Sequence, residues 1–269
     1  MLRTFSQRWS AFMKSPFLAT AIEAAQAAAV VIRRYYQQNI AVTIKADKSP
    51  VTQADVETEQ VIRKLISERF PEHGFYGEET GSQGLDKEYL WLVDPIDGTK
   101  AFVREYPMFS TQIALMQRGK LIVGVSSAPQ YGMNGELAYG EVGVGAWLND
   151  KPIKVSDLDT IEDCAISGGN LKTLALSSQW SNYGKLIARA QRIRGYGDFL
   201  HYHLLAAGKI DVVIESDVNI LDIAALSVIV EAAGGRFTQL DGKPIGLQTT
   251  TVLATNGKLH DQVRTALPY

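Results

Sequence analysis

The sequence predicts a layered α/β protein, on three observations. An apolar run, Tyr89-Leu90-Trp91-Leu92-Val93, ends abruptly in Asp94-Pro95-Ile96-Asp97-Gly98-Thr99 and reads as a buried strand. From Thr111 to Leu148 short apolar segments alternate with Gly-rich turns, the pattern of an antiparallel sheet. From Asp163 onward strand-like and helix-like segments alternate, which is an α/β pattern.

Taken in order, Met1 to about Lys14 carries Arg3, Arg8, Trp9, Phe12 and Met13 in no clear period and is expected to be an extension. Leu18, Ile22, Ala25, Ala29, Ile32 and Tyr36 then recur at spacings of four and three, the stripe of an amphipathic helix. A charged, turn-rich stretch follows, and a helical pattern runs through Val56, Val61, Leu65 and Ile66 with Thr52 or Asp55 as its cap. That stretch serves equally as a loop that lends Lys48 and Asp55 to a site. Phe75-Tyr76-Gly77-Glu78-Glu79-Thr80 is an aromatic strand pattern that again ends in Gly and paired acids. Adjacent acids on a loop are ordinarily solvated, but these stand one strand upstream of Asp94, so the two strand ends can converge.

In the central stretch Pro95 removes an N–H and extends Asp94, so the chain turns and Asp97 can return beside it. Two carboxylates in one small volume need a proton or a cation, while Gly98-Thr99 offers backbone N–H groups to an anion. The same Asp-Pro-x-Asp-Gly string is also good turn chemistry by itself.

Strands are expected at 111–116, 121–126, 136–139 and 145–148, with a turn at Asn149-Asp150-Lys151-Pro152. Beyond a composition change near Ser156 to Asp163, strands are expected at 163–167, 191–196 and 212–214, with helices at 180–190 and 199–207. The chain thus divides into an extension (1–16), an N-terminal α+β subdomain that carries the acids (17–155) and a C-terminal α/β subdomain that completes the site (156–269). A last helix starts near Asn219, holds Asp222 in its first turn, where a carboxylate is favoured in any case, and stops at Gly234-Gly235.

Of the 269 residues 46% are hydrophobic and 21% charged, enough for a sizeable core. A formal net charge of −2 without a Lys/Arg block argues against a nucleic-acid or membrane binder and favours small-molecule chemistry. Cys164 stands alone, so an intramolecular disulfide or a Cys-based zinc site is excluded, consistent with a cytoplasmic location. His73, His201, His203 and His260 have neither metal-ligand nor triad spacing, and there is no nucleophile elbow or Walker loop.

The ordered set Gly77-Glu78-Glu79, Asp94-Pro95-Ile96-Asp97-Gly98-Thr99 and Asp222-Ile223-Ala224-Ala225, closed by Glu231-Ala232-Ala233-Gly234-Gly235, resembles the inositol monophosphatase superfamily from about Leu18 onward. Ser49-Pro50-Val51-Thr52 and Gly143 to Asn149 agree with it. The resemblance implies an αβαβα sandwich shared with fructose-1,6-bisphosphatase, a homodimer, and a Mg²⁺-dependent phosphatase without a phosphoenzyme. It further implies that Glu78, Asp94, Asp97, Asp222 and the carbonyl of Ile96 ligate metal, that Glu78 and Thr99 orient the attacking water, and that the Gly98 and Thr99 amides hold phosphate. Such oxygen ligands suit a hard cation. The family offers histidinol phosphate, inositol phosphate and 3′-phosphoadenosine 5′-phosphate as substrates; Asp97 to Phe102 and Gly197-Asp198-Phe199 look most like the histidinol-phosphatase branch, with inositol monophosphatase as runner-up. Leu221 stands where many relatives have Trp beside the substrate site, which weakens transfer of an inositol or nucleotide preference. Asp198 and Glu215 are expected to select a cationic substrate, unless Asp198 only caps a helix and Glu215 only faces solvent. From a different class, a regulatory binding module on the same fold would have a broken metal set or a basic partner surface.

Overall fold

A computed structural model describes residues 14–38, 42–44 and 50–269; Lys48 and the extension up to Met13 lie outside them. The first half contains α1 (Pro16–Tyr35), the paired strands β1 (Val42–Ile44) and β2 (Pro50–Thr52), α2 (Gln53–Arg69), β3 (Gly74–Gly77), β4 (Gly81–Gln83), β5 (Tyr89–Asp97) and α3 (Thr99–Val103). The expected meander follows as β6 (Ser110–Gln117), β7 (Lys120–Ala128), β8 (Glu136–Glu141), β9 (Gly145–Leu148) and β10 (Lys151–Ile153). The second half is β11 (Ala165–Gly168), α4 (Lys172–Leu176), α5 (Trp180–Arg189), β12 (Arg192–Arg194), α6 (Asp198–Ala206), β13 (Val212–Ser216), α7 (Ile220–Ala232), β14 (Arg236–Thr238), β15 (Thr251–Thr255) and α8 (His260–Ala266).

An eight-stranded sheet runs β10-β9-β8-β7-β6-β5-β3-β4 and a five-stranded sheet runs β12-β11-β13-β15-β14. On the outer face of the large sheet α1 and α2 bury Leu18, Ile22 and Ile62 against Trp91, Val93 and Ile113. Between the sheets α6 and α7 bury Leu205, Ile223 and Ile229 with Leu90, Leu92 and Val213. Outside the small sheet α5 and α8 cover Ile166, Val212 and Leu253 with Leu186 and Val263. The five layers are the αβαβα sandwich. Helix α1 is long and apolar enough to cross a membrane by length and composition, but its apolar side is the wall of a core.

Three local expectations differ from the structure. Pro152 stands in β10, an edge strand where a missing N–H is tolerated, and only Asn149-Asp150, both at positive φ, make the turn. The buried face of α2 is Ala54, Asp55, Thr58, Glu59, Ile62 and Ile66, whereas Val56 is exposed, so the helix turns two acids inward. The Asp94-Pro95 step is no turn either, because β5 continues through Asp97.

Helix α7 touches the large sheet through Gly124, where a Cβ would stand 2.3 Å from the Ala225 carbonyl oxygen. Only a residue without a side chain lets the helix come so close. Its N-terminus, with Asp222, is thereby set over the end of β5.

Candidate active site

The parity of β5 explains which side chains reach the site. Leu90 and Leu92 point to the core under α7, Trp91 and Val93 to the core under α1 and α2. Successive strand residues alternate faces, so Asp94 falls on the α7 side. Between the pairs Asp94–Gln112 and Asp97–Ser110, three steps on β5 oppose two on β6, a one-residue bulge that turns Asp97 to the side of Asp94. Pro95 fits there because a bulge residue owes no ladder N–H; its carbonyl accepts the Thr111 hydroxyl at 2.8 Å. Ile96 is fully buried on the opposite side, with Phe102 and Phe109.

Asp222 completes the cluster from α7. Asn219 caps the helix by accepting the Leu221 amide, while the Asn219 backbone amide donates back to Asp222 at 3.0 Å, a reciprocal capping box. One carboxylate oxygen from each of Asp94, Asp97 and Asp222 lies within 4.8 Å of the others. Burial, followed by the charges of Glu78, Asp97 and Asp222, holds Asp94 well above the usual carboxylate range. Asp97 is raised in the same way, by burial and then by Asp222, Asp198, Glu215 and Glu78. Asp222 is pushed up to about 7, chiefly by burial, with Glu78 and Glu215 adding and the Asn219 bonds opposing.

Asp94, Asp97 and Asp222, whose charges are disfavoured by burial and by their acidic neighbours, form the kind of cluster that a cation would neutralise. Asp94 Oδ1 is buried with no hydrogen-bond partner, an acceptor aimed where no protein donor reaches. All the side-chain donors are carboxylate oxygens, which suit a hard divalent cation and not a soft one. The residues fit such a metal.

Glu78 sits in the three-residue loop between β3 and β4, its amide donating to the Val93 carbonyl at 3.2 Å, so the parallel pair β3–β5 brings it beside Asp94. Gly98 has φ +90°, and a Cβ there would meet the Met108 carbonyl at 2.7 Å, so the sharp entry into α3 requires glycine. The helix bonds begin at the Ala101 and Phe102 amides, both directed at the Gly98 carbonyl, which leaves the Gly98 and Thr99 amides outside the helical ladder. The Thr99 hydroxyl lies 3.0 Å from the Ile96 carbonyl and 3.2 Å from Asp55 Oδ1. Asp55 therefore does more than cap α2. Its Oδ2 accepts from the Thr52 amide and hydroxyl while Oδ1 faces Thr99, and burial holds its carboxyl above the usual range.

A cavity beside the acid cluster is lined by Asp97, Asn170, Asp198, Tyr202, Glu215 and Asp222. The expected pair is thus brought to one place. Glu215 does not face solvent: it is 3% exposed and accepts from the Tyr202 hydroxyl at 2.5 Å and the Asn170 amide at 3.1 Å, with His201 Nε2 also 3.1 Å away. Burial raises its carboxyl, but His201, Tyr202 and the Asn170 amide outweigh burial and leave it below the usual range. Asp198 is not a side-chain cap; it has φ +46° after Gly197, and α6 has no side-chain cap bond. Burial and then Glu215 raise its carboxyl. Leu221 lies in the large core, 4% exposed, and not among the cavity walls. Asn170, His201 and Tyr202 were not singled out from sequence as site residues.

The sequence matches the inositol monophosphatase family over residues 13–268. It is 36% identical over 236 residues to a histidinol-phosphatase of Mycobacterium tuberculosis, covering 87% of this chain and 90% of that one. It is 34% identical to an inositol-1-monophosphatase of Synechocystis, covering 81% and 76%. Among solved structures, the inositol monophosphatase of Anabaena superposes with a TM-score of 0.80 at 33% identity, covering 94% of this chain and 95% of the other. The extragenic suppressor protein suhB from Bartonella henselae superposes at 0.84 with 31% identity, covering 94% and 98%. With the acid cluster at the end of β5 and α7, these likenesses show that the chain belongs to the inositol monophosphatase family and is a metal-dependent phosphomonoester hydrolase.

Proposed function

We propose that the protein is a Mg²⁺-dependent phosphatase that releases histidinol from histidinol phosphate. The observation that carries this is the second pair of acids, Asp198 and Glu215, on the wall of a cavity that already holds Asp97 and Asp222. A neutral polyol would have to meet that charge with hydroxyl groups alone. A substrate carrying an ammonium pairs with it, and charge-assisted hydrogen bonds are about twice as strong as neutral ones. Relatives named histidinol-phosphatase at 36% and 33% identity support the assignment.

In this mechanism Glu78, Asp94, Asp97, Asp222 and the Ile96 carbonyl would hold Mg²⁺, which when bound would lower the pKa of water and neutralise charge on the phosphoryl oxygens. Thr99 directs its single proton to Asp55 Oδ1 or to the Ile96 carbonyl, which leaves Oγ1 as an acceptor that orients the attacking water. Glu78 accepts from the same water. The Gly98 and Thr99 amides hold the phosphate in line, and Asp198 and Glu215 hold the amino alcohol. Phosphoryl transfer needs chiefly this positioning and charge neutralisation. A cytoplasmic homodimer is the working form we propose.

Phosphate release from a small panel tests the assignment. Wild-type protein should turn over histidinol phosphate with higher kcat/KM than inositol 1-phosphate. Asp198→Asn should raise KM for histidinol phosphate roughly tenfold, the scale of a charge-assisted hydrogen bond, with a smaller change for inositol phosphate. Efficient hydrolysis of inositol 1-phosphate with histidinol phosphate ignored would overturn the substrate and leave an inositol monophosphatase.

A further inference from the structure

Glu59 belongs to none of the motifs above. It lies on α2 one turn after Asp55 and is completely buried, yet no Lys, Arg or His among the described residues forms an ion pair with it. A buried carboxylate without a cation must be satisfied in another way. Here Oε2 accepts the Glu79 amide and Oε1 accepts the Thr80 amide, both at 2.8 Å. The site is built to that shape. A Cβ on Gly77 would lie 2.5 Å from the Glu59 carboxylate carbon and 2.5 and 2.6 Å from its two oxygens, so the strand before the loop is bare where the carboxylate rests.

The loop in question is the one that carries Glu78. It has three residues, since Gly77 pairs with Gly81 across the β3–β4 hairpin. Its three amides are all engaged: Glu78 to the Val93 carbonyl, Glu79 and Thr80 to Glu59. One anchor is thus the strand residue just before Asp94, and the other is the helix that also carries Asp55. The Thr80 hydroxyl accepts from Arg63, one further turn along α2. A loop fixed through every amide has little freedom to move the carboxylate at its first position.

We propose that Glu59 is a positioning residue for the metal site: its carboxylate, bidentate to the Glu79 and Thr80 amides, fixes the loop that aims Glu78 at Asp94, and so sets the affinity for the divalent cation. The proposal rests on Glu78 being a ligand in the function proposed above. Glu59→Gln replaces one acceptor by an NH₂ group that faces a backbone N–H, so one anchor is lost and a donor is set against a donor.

The test is calorimetric titration of metal-free protein with Mg²⁺, beside phosphate release as a function of Mg²⁺. Glu59→Gln should raise the Mg²⁺ dissociation constant about tenfold, the effect of one lost charge-assisted bond. Its kcat should be lowered and should recover in part as Mg²⁺ is raised. An unchanged dissociation constant in a folded variant with a lower melting temperature would overturn the proposal, because it would make Glu59 merely structural. Wild-type protein supplies a measurement independent of whether the variant folds. In metal-free protein the Glu79 and Thr80 amides should be protected from hydrogen exchange well beyond the amide of exposed Met133. Exchange as fast as Met133 would show that the anchor is absent and overturn the proposal. Wild-type protein that binds no Mg²⁺ would instead refute the function on which the proposal rests.

Discussion

Asp222→Asn should stabilise the metal-free protein at pH 8 and fail to do so at pH 4. Asp222 has an ordinary carboxyl value of 3.8 when unfolded and about 7 in the fold. A group whose folded-state pKa is raised adds nothing unfavourable below pH 4, where both states are protonated. It then costs stability progressively as pH rises towards 7, and fully above it. At 1.36 kcal/mol for each tenfold change in the proton equilibrium, the full cost is on the order of 4 kcal/mol. That is a ceiling, because Asp94 and Asp97 carry part of the same repulsion. The substitution also has a cost, since Asp222 accepts from the Asn219 amide and side chain, and loss of a cap bond is worth about 1 kcal/mol. The balance is a gain of roughly 2–3 kcal/mol at pH 8 and a small loss at pH 4. Urea unfolding in excess chelator at the two pH values measures it. The same shift at both pH values would refute the idea that ionisation of a crowded acid cluster, and not a packing change, governs the metal-free stability. Saturating Mg²⁺ should reverse the order at pH 8, because the wild type then gains the binding energy.

Glu78→Gln keeps size but loses charge and basicity, so turnover should nearly vanish at saturating Mg²⁺ while the melting temperature without metal holds or rises; undiminished turnover would remove Glu78 from the mechanism. Thr99→Val keeps the shape but deletes the hydroxyl between Asp55 and the Ile96 carbonyl. Loss of water orientation should lower kcat by about 10²-fold or more with little change in KM, and a change confined to KM would assign Thr99 to binding.

Much of this was legible in the sequence because it is contiguous. An apolar strand that ends in acids reads as a site whatever surrounds it, and Asp222 reads as a first-turn acid from the Asn219 cap alone. The bulge in β5 was not legible, because Asp-Pro-Ile-Asp looks like a turn until β6 is beside it with Gln112 and Ser110 in register. The sequence spacing phases helix α2 on Val56, Val61, Leu65 and Ile66; of these only Ile66 lies on the buried face, which Ala54 and Ile62 complete and which turns Asp55 and Glu59 inward. Two acids four residues apart, in phase with Ile62 and Ile66, were the available signal. The partners of Glu215 come from α6 and from the loop after β11, 13 to 45 residues away in the chain, where no local spacing connects them.

The central claim is that Asp94, Asp97 and Asp222, with Glu78, hold a divalent cation at the end of β5. Crystals soaked in Mn²⁺ and measured at the manganese absorption edge test it directly. The account predicts an anomalous peak within about 2.5 Å of carboxylate oxygens from those residues, the range of hard-cation contacts to oxygen. A map with no peak between them, or with its strongest peak elsewhere on the protein, would contradict it.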